Sequence, residues 1–218
     1  MNAKLRIAVE DFRYLLSRGY KRERTLEIVG DRYLLDQTTR LVFYRAVYDE
    51  ETARLHGSRL VGPEAVSDKR LSIDGYNVLI TVESMLRKKP LILCDDGFIR
   101  DISAIHGKHR LTPYTEEALS LIFRFLTEVQ PSEIRFFYDA QVSRSGELAA
   151  LTRDIFSRFG LEGSAETARL ADNEALAFGD ILATSDAVLI NRGRRLFDLA
   201  AEVARRNSPT QILPLSQL

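Results

Sequence analysis

The chain has 218 residues, of which 45% are hydrophobic and 28% are charged, values typical of a folded globular protein. Its 31 basic and 31 acidic residues cancel, which excludes binding to polyanions through overall charge but not through a local basic patch. The single Cys94 excludes an internal disulfide and a cysteine zinc cluster, and no apolar run reaches the roughly 18 residues that cross a bilayer. We therefore expect a cytoplasmic protein without membrane association.

The first quarter of the chain shows apolar residues at helical spacing and no strand signal. Three helices are predicted, over residues 4–19, 22–29 and 37–54. Basic residues gather around Gly19 and Tyr20, and contact with nucleic acid, packing and dimer formation all remain open as their role. The punctuated stretch 56–63 predicts a boundary between a helical N-terminal domain, residues 1–58, and a second domain, residues 66–218.

In the second domain, apolar runs typical of buried strands alternate with amphipathic segments typical of helices. Strands are predicted at 71–73, 91–94, 134–138, 181–183 and 211–213. Helices are predicted at 78–87, 115–129, 146–159, 171–178 and 194–206. This alternation indicates βαβ units and a three-layer α/β/α, Rossmann-like fold with a parallel sheet.

Three of the predicted strands end on an aspartate: Asp74, Asp139 and Asp186. The carboxyl ends of parallel strands meet at one edge of a sheet, so we expect these three carboxylates to lie near one another. Like charges at one edge raise each other's pKa or require a cation, and hard divalent ions prefer oxygen ligands. A fourth acid, Asp172, begins the helix before the third strand, where a helix-capping role and a ligand role are both open.

The motifs at these strand ends resemble those of a known superfamily. Segments IDGYNVL (73–79), FFYDA (136–140), ADNE (171–174) and ATSD (183–186) occur in the order found in PIN-like nucleases, particularly the NYN branch. The resemblance covers about residues 71–200, and the whole chain is similar to a little-characterised prokaryotic group with a helical domain before a PIN-like domain. The helical domain is not part of the superfamily's common core.

The resemblance implies a metal-dependent nuclease, usually acting on RNA as an endoribonuclease. It implies that Mg²⁺ or Mn²⁺ is held by the catalytic carboxylates Asp74, Asp139, Asp172 and Asp186. Such ions activate water and neutralise charge on the scissile phosphate. Asn77 would contact the phosphate or orient Asp74, while Thr184 and Ser185 would fix the geometry of the carboxylates.

Several other polar residues have two interpretations. The loop 106–110 and the residues after the acidic strands could contact phosphate or simply face solvent; the candidates are Lys108, His109, Arg110, Arg144 and Arg192. Asp95 and Asp96 precede a glycine and predict a turn, with a metal role as the alternative. Glu83 is expected on a solvated helix face.

Three functions compete at this point. A nuclease is the leading hypothesis, and a non-catalytic RNA-binding module that retains the PIN-like fold is the alternative. An aspartyl-phosphate phosphatase ranks low, because Tyr76 stands where that chemistry places a second aspartate. A homodimer is left open by the sequence.

Overall fold

The structure is a computed structural model that describes residues 3–102 and 109–217. Four helices begin the chain: α1 (Ala3–Ser17), α2 (Arg22–Arg32), α3 (Gln37–Ala46) and α4 (Glu50–Gly57). The prediction of one helix over 37–54 is wrong, because Asp49 accepts a hydrogen bond from the Thr52 backbone N–H and begins a new helix. Asp36 caps α3 in the same way through Thr39.

A five-stranded parallel sheet forms the centre of the second part of the chain. Its strands are β1 (Arg70–Asp74), β4 (Glu133–Asp139), β5 (Gly163–Ala168), β6 (Ile181–Ala183) and β7 (Leu196–Phe197), in the spatial order β5-β4-β1-β6-β7. All four neighbouring pairs are parallel. The predicted α/β class with a parallel sheet is therefore confirmed.

Helices cover both faces of this sheet. The helices are α5 (Gly75–Leu86), α6 (Pro113–Val129), α7 (Ser145–Phe159), α8 (Ala171–Phe178), α9 (Ala187–Arg192) and α10 (Leu199–Asn207). Successive residues of β4 alternate between the two faces: Phe136 and Tyr138 pack with α5, α6, α7 and α10, whereas Phe137 packs with α8 and α9. This arrangement is compatible with a three-layer α/β/α fold.

A second, three-stranded sheet joins the N-terminal helices to this fold. It contains β2 (Leu91–Leu93), antiparallel to β3 (Ile99–Asp101) and parallel to β8 (Ile212–Pro214). Ile92 and Cys94 are buried in one apolar cluster with Phe12, Val29 and Phe43 of the helices. The predicted strands 91–94 and 211–213 are thus real, but they belong to this sheet and not to the main one.

Asp95 and Asp96, in the turn between β2 and β3, hold the two parts of the chain together. Asp95 accepts hydrogen bonds from the Arg13 guanidinium at 2.5 and 2.9 Å and from the Tyr48 N–H. Asp96 is 1% exposed and lies between the Arg100 guanidinium and the His56 ring. Their side chains therefore bridge elements as well as shaping a turn. The division into domains 1–58 and 66–218 stays a prediction.

Candidate functional site

Asp74 ends β1 and begins α5, and the glycine after it allows this helix to approach the sheet closely. A Cβ at Gly75 would lie 2.3 Å from the Tyr138 ring, so only glycine fits without displacing that ring. Tyr138 is fully buried and its hydroxyl lies 2.9 Å from Thr152 Oγ1, which fixes it in place. The glycine of the Asp-Gly pair in the sequence motif is thus required by packing.

The Asp74 carboxylate accepts hydrogen bonds from neutral donors. Thr184 Oγ1 donates to Asp74 Oδ2 at 2.9 Å, and the Asn77 backbone N–H lies 3.5 Å from Oδ1. Burial, the largest effect, together with the charges of Asp186 and Asp172 raises the pKa of Asp74 to about 7, although the hydrogen bonds from Thr184 and Asn77 act to lower it. In the described residues no cationic side chain pairs with Asp74.

The Asn77 side chain ties the start of α5 to the loop after β6. Its Oδ1 accepts hydrogen bonds from the Ser185 N–H at 2.8 Å and the Ser185 hydroxyl at 3.1 Å. The Asp186 N–H donates to Thr184 Oγ1 at 3.0 Å, so Thr184 connects two of the carboxylate residues. Thr184 thus contacts a carboxylate directly, whereas Ser185 contacts Asn77, and the orienting roles of both residues stay predictions.

The other three acids occupy the same edge of the sheet. Asp139 accepts from the Gln141 N–H at 2.8 Å, and Asp186 accepts from two backbone N–H groups at the start of α9. In both residues it is the Oδ1 atom that accepts these hydrogen bonds. Asp172 lies in the first turn of α8, and burial together with the charge of Asp186 raises its pKa, against the effect of Arg192.

Three of the four acids, Asp74, Asp139 and Asp172, line one pocket at the carboxyl edge of the sheet, which we call the acidic pocket; Asp186, which the sequence predicts beside them, lines a neighbouring cavity instead. The acidic pocket has a volume of about 250 Å³ and is lined by Asp74, Tyr76, His109, Asp139 and Asp172. Burial and the neighbouring Asp139 raise the pKa of Tyr76 to about 12, so its phenol stays protonated. Across residues 3–102 and 109–217, no three His, Cys, Asp or Glu side chains converge closely enough to form a ligand set.

Sequence reasoning placed Glu83 wrongly. Glu83 is 4% exposed, and its Oε1 accepts from Thr115 Oγ1 at 2.6 Å and lies 3.1 Å from His109 Nε2. Arg87 contacts its other oxygen at 3.3 Å. The prediction of a solvated position is wrong because two of the partners that bury Glu83, His109 and Thr115, lie 26 and 32 residues away in sequence, where no helical pattern reveals them. The result is an oriented imidazole at the acidic pocket, with the His109 ring packed against Tyr76.

The predicted nucleic-acid-binding residues do not all lie at one place. Arg192 lies beside the acids: its guanidinium donates to Asn173 Oδ1 at 2.7 Å and lines a cavity with Asp139 and Asp172. Arg110 is exposed, and Arg144 pairs with Glu147 on the surface of α7. Lys108 lies outside the described residues. His109 lines the acidic pocket, whereas the Asn77 side chain contacts Ser185 in the loop after β6.

Comparison with known proteins gives two family matches and one relative. Residues 4–59 match the family described as "Protein of unknown function (DUF434)", and residues 63–202 match "Domain of unknown function (DUF5616)". The chain is 34% identical over 197 residues to the "Uncharacterized protein MJ0935" of Methanocaldococcus jannaschii, a span of 89% of this chain and 94% of the relative. No solved structure gives a significant match. None of the helices in the described ranges has the length and apolarity needed to cross a membrane.

Proposed function

The chain belongs to the family described as "Domain of unknown function (DUF5616)", and from its acidic pocket we propose that it is a metal-dependent nuclease. The proposed reaction is hydrolysis of phosphodiester bonds within RNA, with Mg²⁺ or Mn²⁺ as cofactor. One observation carries the proposal: Asp74, Asp139 and Asp172 line a single pocket, with no cation paired to Asp74 in the described chain.

The arrangement of strands supports a PIN-like domain of the NYN branch. The strands β4, β1 and β6 are neighbours in the sheet, and each ends at or just before one of the acids named by the motifs. In an open α/β sheet, ligands bind outside the carboxyl ends of the strands. The shared position of these acids is what the resemblance requires.

The donor set suits a hard divalent cation. Asp74, Asp139, Asp172 and Asp186 offer carboxylate oxygens only, which Mg²⁺ and Mn²⁺ prefer. Burial and like charge disfavour the ionised form of Asp74, and a bound cation would reverse that effect. When bound, such an ion supplies a water of lowered pKa and neutralises charge on the phosphate.

The chain's own residues orient the carboxylates and handle protons. The Thr184 hydroxyl holds Asp74 Oδ2, and Asn77 holds the loop that carries Asp186. With its Nε2 held by Glu83 Oε1, His109 donates the proton on Nδ1 to the leaving oxygen at the pocket, which leaves a neutral imidazole. Arg192 offers a positive charge to the substrate backbone beside Asp172.

A non-catalytic RNA-binding module is the second candidate. The observation that favours it is that the carboxylates of the described chain line one pocket without converging into a ligand set. The two candidates differ in one respect: a binding module retains RNA in Mn²⁺ without cutting it.

Cleavage of a single-stranded RNA with a fluorophore and a quencher, in Mn²⁺ and in EDTA, tests the proposal. We expect cleavage that depends on Mn²⁺ and that is weaker in Asp74→Asn. Loss of a residue that only hydrogen-bonds to a metal ligand costs roughly 10- to 100-fold in activity, so loss of a ligand itself should cost more. Asp180→Asn is the matched control, because Asp180 precedes β6 at the opposite edge of the sheet and pairs with Arg70. Equal cleavage by wild type and Asp74→Asn would refute the proposal, and binding without cleavage would favour the second candidate.

A further inference from the structure

A second cavity lies where the N-terminal helices meet the loop after β6, and we call it the junction cavity. Its volume is about 290 Å³, near the lower end of the range of about 300–1,000 Å³ for small-ligand pockets. The helices contribute Arg22, Tyr44, Arg45 and Tyr48, and the α/β part contributes Arg100 and Asp186. The size suits one nucleotide, and the lining combines planar rings with positive charge.

The rings form a stacking surface at the cavity. The Arg22 guanidinium lies 4.4 Å from the centre of the Tyr48 ring and 5.9 Å from the centre of the Tyr44 ring. Tyr44 is 39% exposed, whereas Tyr48 is 5% exposed. Tyr44 is therefore the ring that an incoming base can reach, and the Arg22 guanidinium lies close to both rings.

The positive charge of the cavity is only partly balanced. Arg100 is paired with Asp96, and Arg45 lies 3.7 Å from Asp101. Arg22 Nη1 donates to the carbonyl oxygens of Tyr44 and Val47, which are neutral acceptors, and forms no ion pair within the described ranges. Its charge acts on the nearby carboxylates of Glu23 and Asp49 without forming an ion pair with either, and among the described residues Asp186 is the one acid in the cavity lining. The Arg22 guanidinium can therefore still pair with a phosphate.

The junction cavity adjoins the acidic pocket through a short segment. Asp186 lines the cavity, and its N–H donates to Thr184 Oγ1, which in turn donates to Asp74 in the acidic pocket. The buried Arg100 guanidinium holds this segment, residues 184–186, because its Nε donates to the Ser185 carbonyl at 2.7 Å. A strand whose phosphate lies at Asp74 would place a flanking nucleotide beside Asp186.

We propose that the junction cavity binds one nucleotide of a single-stranded nucleic acid, with the base on Tyr44 and the phosphate at Arg22. The position of this nucleotide next to the scissile bond rests on the proposed nuclease function; the binding itself does not. The proposal gives the N-terminal helices a role in substrate binding. Because a ring face accepts any base, the cavity should have little base preference.

Binding measured without metal tests the proposal separately from cleavage. The probes are a fluorescein-labelled single-stranded oligouridylate and its DNA counterpart, titrated in EDTA by fluorescence anisotropy. Loss of one base–aromatic stack should weaken binding by Tyr44→Ala about 5- to 100-fold. Tyr44→Phe keeps the ring and loses only the hydroxyl contact with Glu23, so it should bind like wild type.

Tyr14→Ala is the matched control, because Tyr14 is an exposed tyrosine of α1, outside the cavity, with the Arg18 guanidinium over its ring. It should bind like wild type. An oligonucleotide with 4-thiouridine should form a photocrosslink to the peptide that contains Tyr44, and circular dichroism should show that each variant is folded. The RNA and DNA probes show which nucleic acid the cavity accepts.

The outcomes separate this proposal from the nuclease proposal. Weakened binding by Tyr44→Ala, together with no cleavage by wild type in Mn²⁺, would support the cavity and refute the nuclease. Cleavage by Tyr44→Ala with unchanged KM and unchanged affinity would refute the cavity and leave the nuclease. Absence of binding to both probes by wild type, or equal loss in Tyr14→Ala, would also overturn the cavity proposal.

Discussion

Replacing Asp74 by asparagine should make the protein more stable at alkaline pH while it removes cleavage. The pKa of Asp74 is raised from its ordinary 3.8 to about 7, chiefly by burial and then by Asp186. The folded state therefore holds the proton more tightly than the unfolded state, and stability is lost as pH rises from about 4 through about 7. Asparagine carries no charge and still offers an oxygen to the Thr184 hydroxyl.

The size of the gain follows from the shift. Three pKa units correspond to about 4 kcal/mol as an upper limit. Because Asp74 is half-buried and water screens its charge, we expect a gain of about 1–2 kcal/mol at pH 8. Near pH 4 the difference should largely disappear, since the carboxyl is then protonated in the folded state and increasingly so in the unfolded state.

Urea unfolding at pH 8 and pH 4 measures this difference. The chain has no tryptophan, so far-ultraviolet circular dichroism is the suitable signal. Asp180→Asn is the control of opposite sign: Arg70 lowers the pKa of Asp180, so its loss should destabilise at pH 8 if it has any effect. An Asp74→Asn variant that is no more stable than wild type at pH 8, or equally stabilised at both pH values, would refute the reasoning.

Three further predictions concern stability. Gly75→Ala should cost about 1–3 kcal/mol in urea unfolding because its Cβ meets Tyr138, whereas Gly146→Ala, with open space in α7, should be neutral or stabilising. At pH 5, where burial raises the pKa of Asp198 to about 6 and its carboxyl is mostly protonated, Asp198→Asn should cost about 1–3 kcal/mol. Both side-chain oxygens accept backbone N–H groups, and an amide would turn a donor toward one of them; an unchanged midpoint of urea unfolding would contradict this. Mn²⁺ should raise the melting temperature of wild type more than that of Asp74→Asn at pH 8, and equal shifts would argue against binding at Asp74.

The strands and helices with strong apolar patterns could be predicted closely from the sequence. The strand at 181–183 and the helix at 171–178 have the bounds predicted for them. The edge strand β5 was missed, because Ala165 is its one fully buried residue and its position is set by pairing with β4. The start of the helix predicted over 194–206 is wrong. Leu196 and Phe197 form β7, and Asp198 then caps α10, which begins at Leu199.

The residues of the candidate site also include some that the sequence could predict and some that it could not. Carboxylates at strand ends could be predicted because parallel topology brings strand ends together, whatever the details of packing. Glu83, His109 and the junction cavity depend on contacts between distant segments. Glu83 lies on α5, and this helix packs against strands of both sheets and against α6 and α10. Because α5 is buried on almost every side, its sequence pattern does not distinguish the position of Glu83, which pairs with His109.

Diffraction from crystals soaked in Mn²⁺, recorded at the manganese absorption edge, tests the central claim most directly. The nuclease account predicts an anomalous peak among Asp74, Asp139, Asp172 and Asp186, with the peak absent from Asp74→Asn crystals treated in the same way. A well-ordered acidic pocket without a peak would contradict it.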